Sequence, residues 1–199
     1  MTEFPDTKSE ILVRIQSHED REAWEQFVSM YRPIIYRIAR RRGLQDADAQ
    51  DVTQRVLLSV AGAIHRWESG DDRVRFRHWL RRVTKNAVLN ALTRRPDDEG
   101  QGGTDAQDLL SEQEKQNPDF EREFVLETRR EIFHRAATVV QDELRGNTWQ
   151  AFHLTVVNGM PVVEAAETLG ISEGGVYAAQ GRAMDRLKRA VKKIEETEA

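Results

Sequence analysis

The sequence predicts an all-α fold of two small helical domains joined by a flexible acidic linker, and three observations lead there. Apolar residues recur at helical spacing in several separate stretches, with no strand-like alternation and no internal repeat. Charge separates into two basic blocks on either side of an acidic one. The stretch Pro161 to Lys193 has the pattern of two short-coupled helices with a basic tail.

Composition limits the function classes. A chain of 199 residues, 32% charged and 7% aromatic, suits helices with broad solvated faces. It has no cysteine, which rules out disulfides and thiolate metal sites and fits a reducing, cytoplasmic setting. No apolar run reaches the length of a membrane span, and MTEFPDTKSE lacks the apolar centre of a signal peptide, so no membrane insertion is expected. His18, His65, His78, His134 and His153 share no ligand-like spacing, so neither a metal nor a cofactor is expected. Phosphate-binding glycine loops and scaffolded carboxylate pairs are missing too, so catalysis by this chain is not expected.

The elements follow in order. Ile11, Leu12 and Ile15 suggest a short first helix. A longer stripe runs through Trp24, Phe27, Val28, Tyr31, Ile35 and Ile38; Pro33 is expected to kink it or to start a new helix. After the basic run Arg40 to Arg42, Gly43 ends this stretch. The next helix should be capped by Asp46 or Asp48 and continue through Val52, Val56, Val60 and Ile64, with a break around Ser69 to Asp72. A further helix carries Phe76, Trp79, Leu80, Val83 and Leu92 on one face and Arg77, Arg81, Lys85, Asn86 and Asn90 on the other, stopping at Arg95-Pro96. Residues 97–119 are rich in acids and glycine and poor in apolar side chains, the composition of a mobile linker. Helical spacing returns with Phe124, Ile132, Phe133, Ala136, Val139, Val140 and Leu144, then in a short segment with Trp149, Phe152, Val156 and Val157.

The last segment is the most informative. Ala165, Ala166, Leu169, Val176 and Ala179 are small or apolar where two helices must cross closely around a turn. Gly170 suits the left-handed turn position and Ser172 suits the cap of the second helix. A helix displayed this way fits the major groove of DNA; an ordinary helical hairpin is the alternative.

The net charge of −4 conceals a division along the chain. Residues 71–95 hold eight bases against two acids, residues 96–123 ten acids against two bases, and residues 182–193 six bases against one acid. Phosphate responds to such local patches rather than to the overall balance.

In this order the segments resemble a bacterial RNA polymerase sigma factor of the extracytoplasmic-function (ECF) type. AWEQFVSMYRPIIYRIARRRGLQDADAQDVTQRVLLSV and FRHWLRRVTKNAVLNALTRR resemble the two halves of sigma domain two, expected over residues 9–95. TWQAFHLTVVNGMPVVEAAETLGISEGGVYAAQGRAMDRLKR resembles sigma domain four, expected over 121–194, with the acidic linker at 96–120. The resemblance implies core RNA polymerase (its clamp coiled coil and flap) and promoter DNA as partners. An anti-sigma factor is one option for control, beside phosphorylation and transcriptional regulation.

It also implies roles for residues. Asp51, Gln54, Arg55 and Leu58 would contact the clamp coiled coil, although the family usually has an acid where Arg55 stands. From the residues alone, these four are the solvated face of a core helix. Arg77, Arg81, Arg82, Lys85, Asn86, Asn90 and Arg94 would engage the minus-ten element and the opened strand. A pocket for an unstacked base would lie near His65 to Arg75, where Trp67 is an open case and core packing suits Phe76 and Trp79 better. Ser172, Glu173, Tyr177, Ala178 and Arg182 would face the minus-thirty-five element, with Arg186, Lys188 and Arg189 nearer phosphates. Gly174-Gly175 and Ala178-Ala179 depart from the commonest family pattern and leave fewer side chains for base readout. The rival reading is a helix-turn-helix regulator that recruits no polymerase, which leaves the N-terminal half without a role.

Overall fold

A computed structural model of the chain describes residues 9–16, 20–66, 76–93, 118–144 and 146–198. Among these residues every regular element is helical: α1 (Ser9–Gln16), α2 (Arg21–Arg41), α3 (Asp46–Ala63) with a 3-10 turn at Ile64–Arg66, α4 (Phe76–Thr93), α5 (Pro118–Glu143), α6 (Asn147–Phe152) continued by a π-helical turn at His153–Val157, α7 (Val162–Leu169) and α8 (Glu173–Glu198). The chain divides into two compact units, a first that reaches Glu131 and a second of Ile132–Thr197. The division falls inside α5, not at the end of the linker expected at 96–120. Because α5 begins at Pro118, the last residues of that span are helical.

The first unit is built on α2. Phe27, Met30, Tyr31, Ile34, Ile35 and Ile38 are fully buried along it and meet Val52, Val56 and Val60 of α3 and Phe76, Leu80 and Val83 of α4 in one core. The aromatic rings lock together: Phe27 lies 4.7 Å from Tyr31 and 5.8 Å from Phe76, and Phe76 lies 5.5 Å from Trp79. Phe76 and Trp79 are therefore core residues. Asp20 caps α2 by accepting from the Ala23 amide at 2.9 Å and pairs with Arg14 at 2.8 Å. The Arg14 guanidinium, then the amide, hold its carboxyl below the ordinary carboxylate range.

Two local expectations are sharpened. Of the two outcomes open at Pro33, a new helix does not start there; one helix runs from Arg21 to Arg41 with Pro33 inside it. Proline removes one helix hydrogen bond, but the buried row on both sides of it holds the helix together through tertiary packing. Asp46 does not cap α3 either. Gln45 occupies the cap position without a side-chain bond, and Asp46 instead accepts from the Tyr36 hydroxyl and, at 2.7 Å, from Gln50. The Tyr36 hydroxyl donates to this carboxylate, and that hydrogen bond raises the Tyr36 pKa.

The N-terminal half of α5 completes the first unit. Phe120, Phe124, Glu127 and Thr128 are buried, and the acids on this stretch meet arginines of α2 and α4. The second unit has two small cores. Ala136, Val140, Phe152, Ala183 and Leu187 form one; Ala151, Ala165, Ala166, Val176 and Ala179 form the other.

Candidate functional site

Three faces carry the chemistry that the sequence singles out. On α3, Ala49, Val52, Thr53, Val56 and Val60 point into the core. Asp51, Gln54, Arg55 and Leu58 are exposed on the opposite side at the spacing that aligns side chains along one helix face. Leu58 is 63% exposed, the most open large apolar side chain among the described residues.

On α4, burial of Phe76, Trp79, Leu80, Val83, Thr84 and Val88 turns the polar row outward. Arg77, Arg81, Arg82, Lys85 and Asn86 are half-buried and Asn90 is exposed. Arg77, Arg81 and Lys85 are four residues apart and share a face. Arg81 is already engaged: its Nη1 lies 2.5 Å from Glu121 Oε1. The Nε of Arg82 is buried with no hydrogen-bond partner among the described residues. Arg94, Trp67 and residues 67–75, where the base pocket is expected, lie outside the described residues.

The third face belongs to the helix-turn-helix. α7 ends at Gly170, whose φ of 64° is the left-handed conformation that a side chain would strain. The Ile171 amide then donates back to the Ala166 carbonyl at 3.1 Å. Ser172 Oγ accepts from the Gly175 amide at 3.1 Å, so the expected cap forms. The small residues Ala165, Ala166 and Ala179, packed with Val176, bring α7 and α8 close together. Asn147 ties the start of α6 to this turn by donating to the Leu169 carbonyl at 2.9 Å. Ser172, Glu173, Tyr177, Ala178, Arg182 and Arg186 are all exposed.

The glycines of α8 are not equivalent. A Cβ at Gly175 would lie 3.3 Å from the capping Ser172 Oγ and 3.6 Å from Ile171, so this glycine admits the tight turn. A Cβ at Gly181 would meet nothing within 4 Å. Gly181→Ala is accordingly expected to stabilise the second unit by about 0.5–1 kcal/mol, read as a rise in the urea midpoint at unchanged slope.

Two features escape the sequence reading. One is an acidic row, Glu123, Glu127 and Glu131, four residues apart on α5, which receives arginines from α2. Arg37 Nε lies 2.5 Å from Glu127 Oε2, Arg37 Nη2 3.0 Å from Glu131, Arg41 3.0 Å from Glu127 and Arg42 2.7 Å from Glu123. The four-residue spacing of these acids was the available signal, but nothing in one sequence pairs them with residues some eighty to ninety positions earlier. The other is an open groove of about 750 Å³ on the second unit, lined among others by Phe133, Trp149, Gln150, His153, Leu154 and Val157. Val156 and Val157, on the π-helical turn, are also exposed. Such turns inside helices recur at functional positions.

Among the described residues no group of three or more histidine, aspartate or glutamate side chains is placed to hold a metal ion, and no helix is long and apolar enough to cross a membrane.

Comparison with known proteins finds a family match within the first unit. Residues 27–96 match Sigma-70 region 2. This part of the chain is a sigma-70 region 2 domain, as the resemblance of the two N-terminal segments predicted. The chain is also 30% identical over 73 residues to the ECF RNA polymerase sigma factor SigE of Mycolicibacterium smegmatis, an alignment that covers 37% of this chain and 27% of that relative. The match thus spans about a quarter of the relative's length. Among solved structures, CnrH, determined in complex with the cytosolic domain of CnrY, is 22% identical, with a TM-score of 0.38 over 94% of this chain and 99% of that one.

Proposed function

We propose that the chain acts as an ECF sigma factor, a non-catalytic subunit that binds core RNA polymerase and directs promoter recognition, DNA opening and transcription initiation. The observation that carries this reading is the presence in one chain of a sigma-70 region 2 domain and a helix-turn-helix whose outer face is wholly exposed.

Each face then has a task. Asp51, Gln54, Arg55 and Leu58 dock on the clamp coiled coil, with Leu58 as the apolar anchor inside a charged rim. The polar face of α4 neutralises phosphates through Arg77, Arg81, Arg82 and Lys85, while Asn86 and Asn90 hydrogen-bond base edges or backbone of the minus-ten element. The start of α8 enters the major groove at the minus-thirty-five element, with Tyr177 and Arg182 as its largest exposed side chains there. With glycine and alanine filling much of that surface, backbone contacts, DNA shape and tethering to polymerase contribute more than side-chain readout. The groove beside Trp149 offers the flap an apolar seat. Residues 9–95 serve as domain two, the helix-turn-helix half as domain four and the acidic stretch between them as the linker.

The test mixes purified protein with sigma-free core polymerase and follows co-sedimentation and transcription from a promoter library. Co-sedimentation with selective initiation is the expected result. Failure to bind core, combined with specific binding of duplex promoter by the protein alone, would assign the chain to polymerase-independent regulators.

A further inference from the structure

We infer that the Glu121 side chain, in the first turn of α5, is an acidic latch that occupies Arg81 in the free chain and is displaced when the α4 face engages phosphate. This inference rests on the reading of α4 as the nucleic-acid face and adds a regulatory contact to it.

Arg81 is the middle cation of the α4 row, between Arg77 and Lys85, yet its guanidinium is taken by Glu121 from α5. A carboxylate and a phosphate present the same kind of oxygen acceptors to a guanidinium, so Glu121 stands where a phosphate oxygen would bind. Glu121 takes the Nη1 side of the guanidinium and His78 Nδ1 lies against Nη2. A phosphate that engages the Nη1 side must therefore replace Glu121.

The acids along α5 are graded for such a release. Glu121 is 46% exposed and makes one ion pair at the water-facing end of the helix. Two residues later Glu123 is more enclosed and holds Arg42, whose guanidinium lies 5.1 Å from the Phe120 ring. Beyond it Glu127 is 1% exposed and held by Arg37 and Arg41. Glu121 returns to water when its contact opens, whereas the buried Glu127 does not, so the first pair is the less costly to open even though Arg81 itself is 18% exposed. The helix therefore stays anchored by Glu127 and by the buried Phe120 and Phe124, while the Glu121 side chain can swing away from Arg81. Glu121, freed from Arg81, still sits in the first turn of the helix, where the backbone dipole favours negative charge. Release consequently does not leave it without electrostatic support.

The experiment is a double-mutant cycle on the full chain. Wild type, Glu121→Gln, Arg81→Gln and the double variant are titrated against a fluorescein-labelled single-stranded oligonucleotide at low salt, with fluorescence anisotropy as the readout. Circular dichroism melts accompany each protein, and Glu121 is exposed enough for its replacement to leave the fold intact. Glu121→Gln is expected to tighten binding by about two- to fivefold, the range that an exposed ion pair supports. This gain should vanish in the Arg81→Gln background. A Glu121→Gln protein that binds no better than wild type overturns the latch. An equal gain in both backgrounds is a bulk charge effect and overturns it as well. Co-sedimentation with core polymerase, which Glu121→Gln should leave unchanged, reports separately on the sigma-factor reading: its failure removes that reading, while an unaltered anisotropy with intact co-sedimentation removes only the latch.

Discussion

Replacing Arg37 with methionine is expected to destabilise the first unit by about 3 kcal/mol, because it leaves the buried Glu127 carboxylate with a single well-placed cation. Glu127 is 1% exposed, and Arg37, itself only 24% exposed, bridges it to Glu131. Arg41 also reaches Glu127, but its side chain is 50% exposed and returns to water when the contact breaks. Arg41→Met should therefore lower stability by no more than about 1 kcal/mol. Denaturant unfolding of the two variants separates the cases. Equal losses would mean that burial does not set the strength of the pairs. Arg37→Met should also loosen the N-terminal half of α5, which would appear as faster amide exchange between Phe120 and Thr128.

Leu58→Glu is expected to weaken the affinity for core polymerase at least about thirtyfold, the loss associated with a central interface anchor. Its cost to folding should stay within about 0.5 kcal/mol, since the side chain faces water. The contrast makes the experiment decisive. Val56→Glu, two residues away and fully buried, would remove binding merely by unfolding α3. Polymerase binding that survives Leu58→Glu in a folded protein would place the contact on another face.

Much of the fold was legible because it is written locally. The stripes on α2, α3 and α4 recur at helical spacing and face the core, except that Leu92 at the end of α4 is exposed rather than on the buried face. The turn at Gly170 and Ser172 was legible for the same reason, since a left-handed glycine and a side-chain cap are short-range devices. At Pro33 no new helix starts, because the buried side chains around it act through residues far along the chain. Asp46 misled: the cap it could make lost to a phenol ten residues earlier, delivered by the packing of α2 on α3.

The candidate site divides along the same line. Which side chains lie on the exposed faces of α3, α4 and α8 follows from helical periodicity, so the sequence by itself determined the all-helical class, the helix-turn-helix and the resemblance to sigma domain two. Which of those side chains are already occupied was decided by tertiary structure alone. Arg81 looks free in sequence and is paired with Glu121 in the fold; Glu127 reads as one more surface acid and is buried under two arginines. Periodicity is a property of neighbours three or four residues apart, whereas ion pairs across 40 to 94 positions exist only once helices have packed.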